Sequence, residues 1–229
     1  MKIIFLTILS GILFLTSSLE ASGPVASTLT GCVFDNKFYS VKGDRAYPIH
    51  FTPELNLIMY EGKTLRIKGR LYPGDRFSIF EENSPEVIKN TCEAEYRKAI
   101  DRLYIAQFRI AALKAAKKGD FNEAFMFINN ALNMDKTDCD NYIDRALIYC
   151  MKEDFVSAAR DISVIKTGAC ANHKKANYLM LQDLGRMLDS KGRKHEALDV
   201  YKIALDTCTS HGKMCTETIE KDIQSLIGR

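Results

Sequence analysis

The phrase Lys118-Gly119-Asp120-Phe121-x-x-Ala124 returns 34 residues later as Lys152-Glu153-Asp154-Phe155-x-x-Ala158, and a third copy reads Lys191-Gly192-Arg193-Lys194-x-x-Ala197. Self-similarity at a fixed spacing restricts a fold severely. Each unit exposes an apolar face that it cannot bury alone, so successive units must stack on one another. In each copy a turn signal separates two stretches with the helical period, which predicts pairs of helices joined by short turns. Alanine and glycine at the expected crossings let helix axes approach to about 8–10 Å, while larger side chains fill the space between pairs.

These segments resemble tetratricopeptide repeats, in which two antiparallel helices stack on the next pair. In the first copy Gly119 makes the turn, Phe121 and Ala124 open the second helix, and Ala131-Leu132 close it. The second copy begins near Cys139 and keeps Tyr142, Ala146, Tyr149, Asp154, Phe155, Ala158 and Ile162. It has Glu153 in place of the turn glycine and Ile165 where a small residue is usual. The third keeps Leu184, Gly185, Leu188, Gly192, Ala197, Tyr201, Ala204 and Leu205, but begins 39 residues after the second, with the extra length falling at 167–177. The resemblance implies a solenoid of about three helix pairs at 105–138, 139–172 and 178–211, closed by a capping helix at 214–229.

Ahead of the repeats the helical period disappears. From Leu29 to Phe80, short alternating runs are broken by Asp35-Asn36, Glu61-Gly62 and Pro73-Gly74-Asp75, which are turn signals between strands. The clearest run is 64–71, where Leu65, Ile67 and Leu71 share one face and Thr64, Arg66, Lys68 and Arg70 the other. Phe77 and Ile79 repeat the alternation after the turn, predicting a hairpin that joins Cys32-Val33-Phe34 and Phe38-Tyr39-Ser40-Val41. The expected fold class is therefore α+β: a small barrel or curled sheet at 24–83, a connecting helix at 84–104 opened by Ser84-Pro85-Glu86, and the repeat array at 105–229. The stretch from Gly62 to Asp75 resembles the central strands of small OB-like domains of exported bacterial proteins. That likeness implies an anion-binding face of Arg66, Lys68 and Arg70, since alternate residues project together. The same three cations also suit a solvated edge strand protected from aggregation.

Met1-Lys2, an apolar run to Thr16 and a small-residue stretch ending near Ala21 read as a secretory signal at 1–21. The apolar run is shorter than the roughly 20 residues a spanning helix needs, so no integral membrane span is expected after cleavage. Export to a periplasm or the exterior follows, a bacterial envelope above all, since no Asn-x-Ser/Thr sequon occurs. Seven cysteines in an exported chain read as disulfides with one left over. Proximity suggests Cys32 with Cys92, Cys139 with Cys170 and Cys208 with Cys215, leaving Cys150. The first link would close a long loop worth roughly 4 kcal/mol.

Basic and acidic residues nearly cancel, 32 against 29, and no long like-charge run offers an arm for nucleic acid. No nucleophile elbow, zinc-protease helix, phosphate loop, dinucleotide fingerprint or Cys-x-x-Cys motif occurs, so neither catalysis nor a cofactor is expected. Cys170-x-x-His173 and Cys208-x-x-His211 could approach a metal, but oxidised thiols do not ligate, and no metal is expected. Cys150, a lone cysteine in a helix, reads as a small buried hydrophobe rather than a nucleophile.

What remains is a surface. In the resembled family the first helix of each pair lines a concave groove. The matching positions are Arg109, Leu113 and Lys117, then Ile143, Leu147, Cys150 and Met151, then Leu179, Gln182 and Arg186. An apolar groove with basic rims suits an extended or helical peptide, with an acidic end near Arg109, Lys117 or Arg186. The alternative is that the chain's own N-terminal unit, or the helix before Ile105, fills it. The expected function is a protein-interaction scaffold binding a protein or peptide partner, with an envelope protein binding an anionic glycan through its β unit as the rival.

Overall fold

The computed structural model describes residues 24–42, 44–52, 54–72, 76–79, 84–167, 176–208 and 213–228. The signal segment 1–21, the Pro73-Gly74-Asp75 turn, Cys170, His173 and His211 lie outside them. The fold is α+β, six strands followed by seven helices among the described residues. The chain divides into two compact units with the main boundary between Thr91 and Cys92; Val41–Tyr47, although part of the barrel strands, is grouped with the second.

The first unit is a closed five-stranded barrel. Its strands are β1 (Val25–Phe34), β2 (Lys37–Lys42), β3 (Arg45–Phe51), β4 (Thr64–Tyr72) and β5 (Arg76–Ile79), with β6 (Glu86–Lys89) added at the side of β4. The hydrogen-bonded order runs β1-β2-β3-β5-β4 and returns to β1. Closure depends on the length of β1. Its end, Gly31 to Phe34, pairs with β2, while Val25 to Cys32 pairs antiparallel with β4. β3 and β5 run parallel, and β4 and β5 form the expected antiparallel pair. Between β1 and β2, Asp35 and Asn36 both adopt positive φ (52° and 54°), the conformation a two-residue hairpin requires. Their N–H groups donate to the Glu61 carboxylate at 2.9 and 3.0 Å, which ties this turn to the short 3-10 helix Ile58–Tyr60.

Alternation along β4 sends Leu65 and Ile67 into a core shared with Val33, Phe38, Ile49, Leu57 and Phe77. Arg66, Lys68 and Arg70 point outward. Thr64, expected on the wet face, is buried and donates its hydroxyl to Thr91 O at 2.9 Å. The helix start expected at Ser84-Pro85-Glu86 is also corrected. Glu86 to Lys89 is a strand, because β4 still has an open side there and Arg66 pairs opposite Glu86. The helix opens only at Ala94.

In the second unit α1 (Ala94–Lys117) packs on α2 (Phe121–Met134), α3 (Cys139–Met151) on α4 (Phe155–Lys166), and α5 (Tyr178–Ser190) on α6 (Lys194–Cys208). α7 (Lys213–Ile227) packs on α6. The turns inside the three pairs share one backbone conformation, with φ of +83° at Gly119, +64° at Glu153 and +73° at Gly192. After the first two turns, Asp120 and Asp154 cap the following helices by accepting from Glu123 N and Ser157 N. Gly185 lets α5 meet α6 face to face, since a Cβ there would stand 2.6 Å from the Tyr201 ring. Across α3 and α4, Arg145 makes a two-pronged pair with buried Asp161 at 2.8 and 2.6 Å, and its third arm reaches Asn129 on α2. That one guanidinium joins three helices.

Cys208 and Cys215 are bonded, closing the turn between α6 and α7. Cys32, Cys92 and Cys139 are also disulfide-bonded. Such oxidation is what an oxidising compartment preserves. Among the described residues no helix is long and apolar enough to cross a membrane.

Candidate functional site

The first helices of the pairs also pack on one another, α1 against α3 and α3 against α5. Where they meet they leave a groove of about 520 Å³. Helical spacing selects its walls: Ala106, Arg109, Ile110, Leu113 and Lys117 from α1, Asp144, Leu147 and Met151 from α3, and Met180, Asp183 and Met187 from α5. Steps of three and four keep each set on one face. The lining is apolar, and Ile110 is 68% exposed although it sits among hydrophobic neighbours.

One polar cluster interrupts this surface. Arg109 donates from Nε to Asp144 Oδ2 at 2.6 Å, from Nη1 to Asp140 Oδ2 at 3.4 Å, and from Nη2 to the Met180 sulfur at 3.2 Å. Asp140 spends its other oxygen on the backbone N–H of Asn177, at 2.8 Å. The Asp144 side chain is 1% exposed, and its Oδ1 has no hydrogen-bond partner among the described residues. Burial pushes the Asp144 carboxyl up to about 6, with Arg109 opposing.

The structure brings together Arg109, Leu113, Lys117, Leu147 and Met151, five of the residues expected to form the groove. The others lie elsewhere. Ile143 and Cys150 are wholly buried in the core beneath the groove wall, and burial raises the Cys150 thiol to about 11. Leu179 faces outward, 53% exposed. Gln182 and Arg186 both donate to Asp222 on α7, at 2.6 and 3.1 Å. On α5 the groove face is thus one residue further along, at Met180, Asp183 and Met187. Of the expected basic rim, Arg109 and Arg186 each already hold carboxylates, while Lys117 lines the groove. Nor does a separate helix precede Ile105 to fold into the groove, since 94–104 is the start of α1 itself.

Ala106, Ile110, Asp144, Met180, Asp183 and Met187 are the groove residues that sequence reasoning missed. Asp144 could have been found by stepping back one turn from Leu147 and Met151. Met180 and Met187 repeat the seven-residue spacing of Asp144 and Met151.

A larger depression of about 730 Å³ lies beside the start of α1, where Arg97 pairs with Asp101 at 3.0 Å. On the barrel, Arg66 is held by Glu86 at 3.3 Å, while Lys68 and Arg70 lie opposite Thr28 and Ala26. Among the described residues no group of three or more histidine, cysteine or acidic side chains is arranged to hold a metal. No protein-family model matches the chain, and no curated protein shows significant similarity to it.

Proposed function

We propose that the chain is an exported interaction protein whose helix pairs form a tetratricopeptide-like array and bind a peptide segment of a partner in the groove across α1, α3 and α5. The observation that carries this reading is the groove itself. It has three methionines and an exposed isoleucine lining one concavity, on first helices held in place by paired second helices. Methionine-rich apolar walls adapt to varied side chains, and helix grooves of this kind take amphipathic segments. The three like turns and the Gly185–Tyr201 crossing support the repeat reading. The barrel order β1-β2-β3-β5-β4-β1, with β3 and β5 parallel, supports an OB-like reading of the first unit.

Panning the full disulfide-bonded chain against a displayed random-peptide library tests this. Enriched peptides should lose most of their binding to Ile110→Asp and keep it with Val156→Asp, which is equally exposed on α4. Equal loss or no loss in both would count against the groove.

The glycan-binding rival is weakened by Glu86, which neutralises one of its three cations. Heparin retention abolished by substituting Lys68 and Arg70 would restore it.

A further inference from the structure

The floor of the groove is acidic at its one polar point. Arg109 interacts with three carboxylates at once, Asp138, Asp140 and Asp144. Asp138 spends an oxygen capping α3 through Asp140 N at 3.0 Å, and Asp140 spends one on Asn177 N. Both stand at the N-terminal end of α3, where the helix itself supplies partial positive charge. Asp144 lies more than a turn further in, out of reach of that field. Among the described residues its Oδ1 remains unmatched within an apolar wall. A buried carboxylate oxygen without a donor is a costly arrangement that a bound group could relieve. Of the two charged rim residues, Asp183 lies 3.9 Å from Arg186 and Lys117 stands on α1, so the three carboxylates that face one guanidinium are confined to the floor.

We propose that the groove selects a peptide carrying one basic side chain between apolar anchors, with its ammonium or guanidinium donating to Asp144 Oδ1. This rests on the reading of the groove as a peptide site and fixes the chemistry of its occupant. An acidic side chain at this point on the floor is disfavoured by the same geometry, because the guanidinium there already faces more carboxylates than it can balance. Met180 lines the groove beside this cluster, its unbranched thioether against Arg109 Nη2, and it can swing aside without moving the backbone, as a branched side chain could not. A neutral donor would satisfy the hydrogen bond but leave the charge excess, so lysine and arginine are preferred over glutamine.

The test uses the full oxidised chain and labelled amphipathic peptides with leucine and methionine on one face, identical except for lysine, arginine, glutamine, leucine or glutamate at one central position. Fluorescence anisotropy should show the lysine and arginine peptides binding about tenfold tighter than the leucine peptide, with glutamate weakest. Because single substitutions at Arg109 or Asp144 strand a buried charge, the control is the double variant Arg109→Leu/Asp144→Leu, which removes both. It should bind the leucine peptide at least as well as the wild type and lose the preference for cations. Equal affinity for all peptides, a preference for glutamate, or a cation preference that persists in the double variant would overturn the inference while leaving the groove reading intact. Failure of every peptide to bind would overturn both. So would a dimer in sedimentation that Ile110→Asp dissolves, since the groove's occupant would then be a second copy of the chain.

Discussion

Arg109 Nε stands 2.6 Å from Asp144 Oδ2, a contact between α1 and α3 made where an apolar groove crosses both helices. The pair holds two helices in register and puts the polar chemistry of the groove at its floor. Removing one member strands the other. Arg109→Met should cost roughly 3 kcal/mol at neutral pH, whereas Arg109→Leu/Asp144→Leu should stay within about 1 kcal/mol of the wild type. Urea unfolding of the two variants side by side checks this, and equal losses would show that the charges do not act as a pair.

The same aspartate makes stability depend on pH. Burial raises its carboxyl to about 6, against the attraction of Arg109 from α1 and with Asp140 of α3 and the N-cap Asp138 adding to the rise. The folded protein therefore holds this proton more tightly than the unfolded chain. Its contribution is most favourable at low pH and declines as pH rises from about 4, the ordinary aspartate value, toward 6. Relative to Arg109→Leu/Asp144→Leu, the wild type should lose on the order of 2 kcal/mol across that window. A difference that is flat with pH, or an NMR titration midpoint for Asp144 near the ordinary aspartate value, would contradict it.

Gly185 and Tyr201 set the approach of α5 to α6. A methyl group at 185 would meet the buried ring at 2.6 Å, with no room for the ring to turn away. Gly185→Ala should destabilise by about 1–3 kcal/mol although alanine is the better helix former. Thermal unfolding decides between the two effects, and a raised Tm would mean that the helices can separate freely.

How much of this was legible in the sequence depended on the range of the interaction. Turns and caps are local, so Gly119, Asp120, Asp154 and Gly192 showed themselves in the repeated phrase, and the alternation around Leu65 and Ile67 identified β4. Long-range pairing was hidden. Ser84-Pro85-Glu86 satisfies every local rule for a helix start, yet Glu86 to Lys89 forms β6 because β4 offers it a ladder. Thr64 reads as a wet-face residue until Thr91 O arrives to accept its hydroxyl. The rotation of α5 follows from packing against α3 and from Asp222 of α7 holding Gln182 and Arg186. The spacing of Asp144, Leu147 and Met151 recurs in Met180, Asp183 and Met187, but which phase of α5 carries it is set by this packing, and it moved the groove face by one residue. Arg109 and Asp144 are 35 residues apart, and neither carries a local sign of the other.

The three turns offer a graded comparison. Gly119 and Gly192 have open space where a side chain would stand but positive φ, so alanine at either should cost about 1 kcal/mol through the backbone alone. Glu153 adopts the same conformation with a side chain already present. Glu153→Gly should raise the Tm despite losing the exposed pair with Lys191. A lowered Tm would show that the pair outweighs the backbone strain.

The occupied groove can be watched through its own methionines. With methyl-labelled methionine in the full oxidised chain, titration with the lysine-centred amphipathic peptide should shift the Met151, Met180 and Met187 resonances. Met126 on α2 and Met59 beside the barrel, exposed but outside the groove, should stay in place. Shifts confined to Met126 or Met59, or no shift at any methionine at saturating peptide, would contradict the assignment of this groove as the binding site.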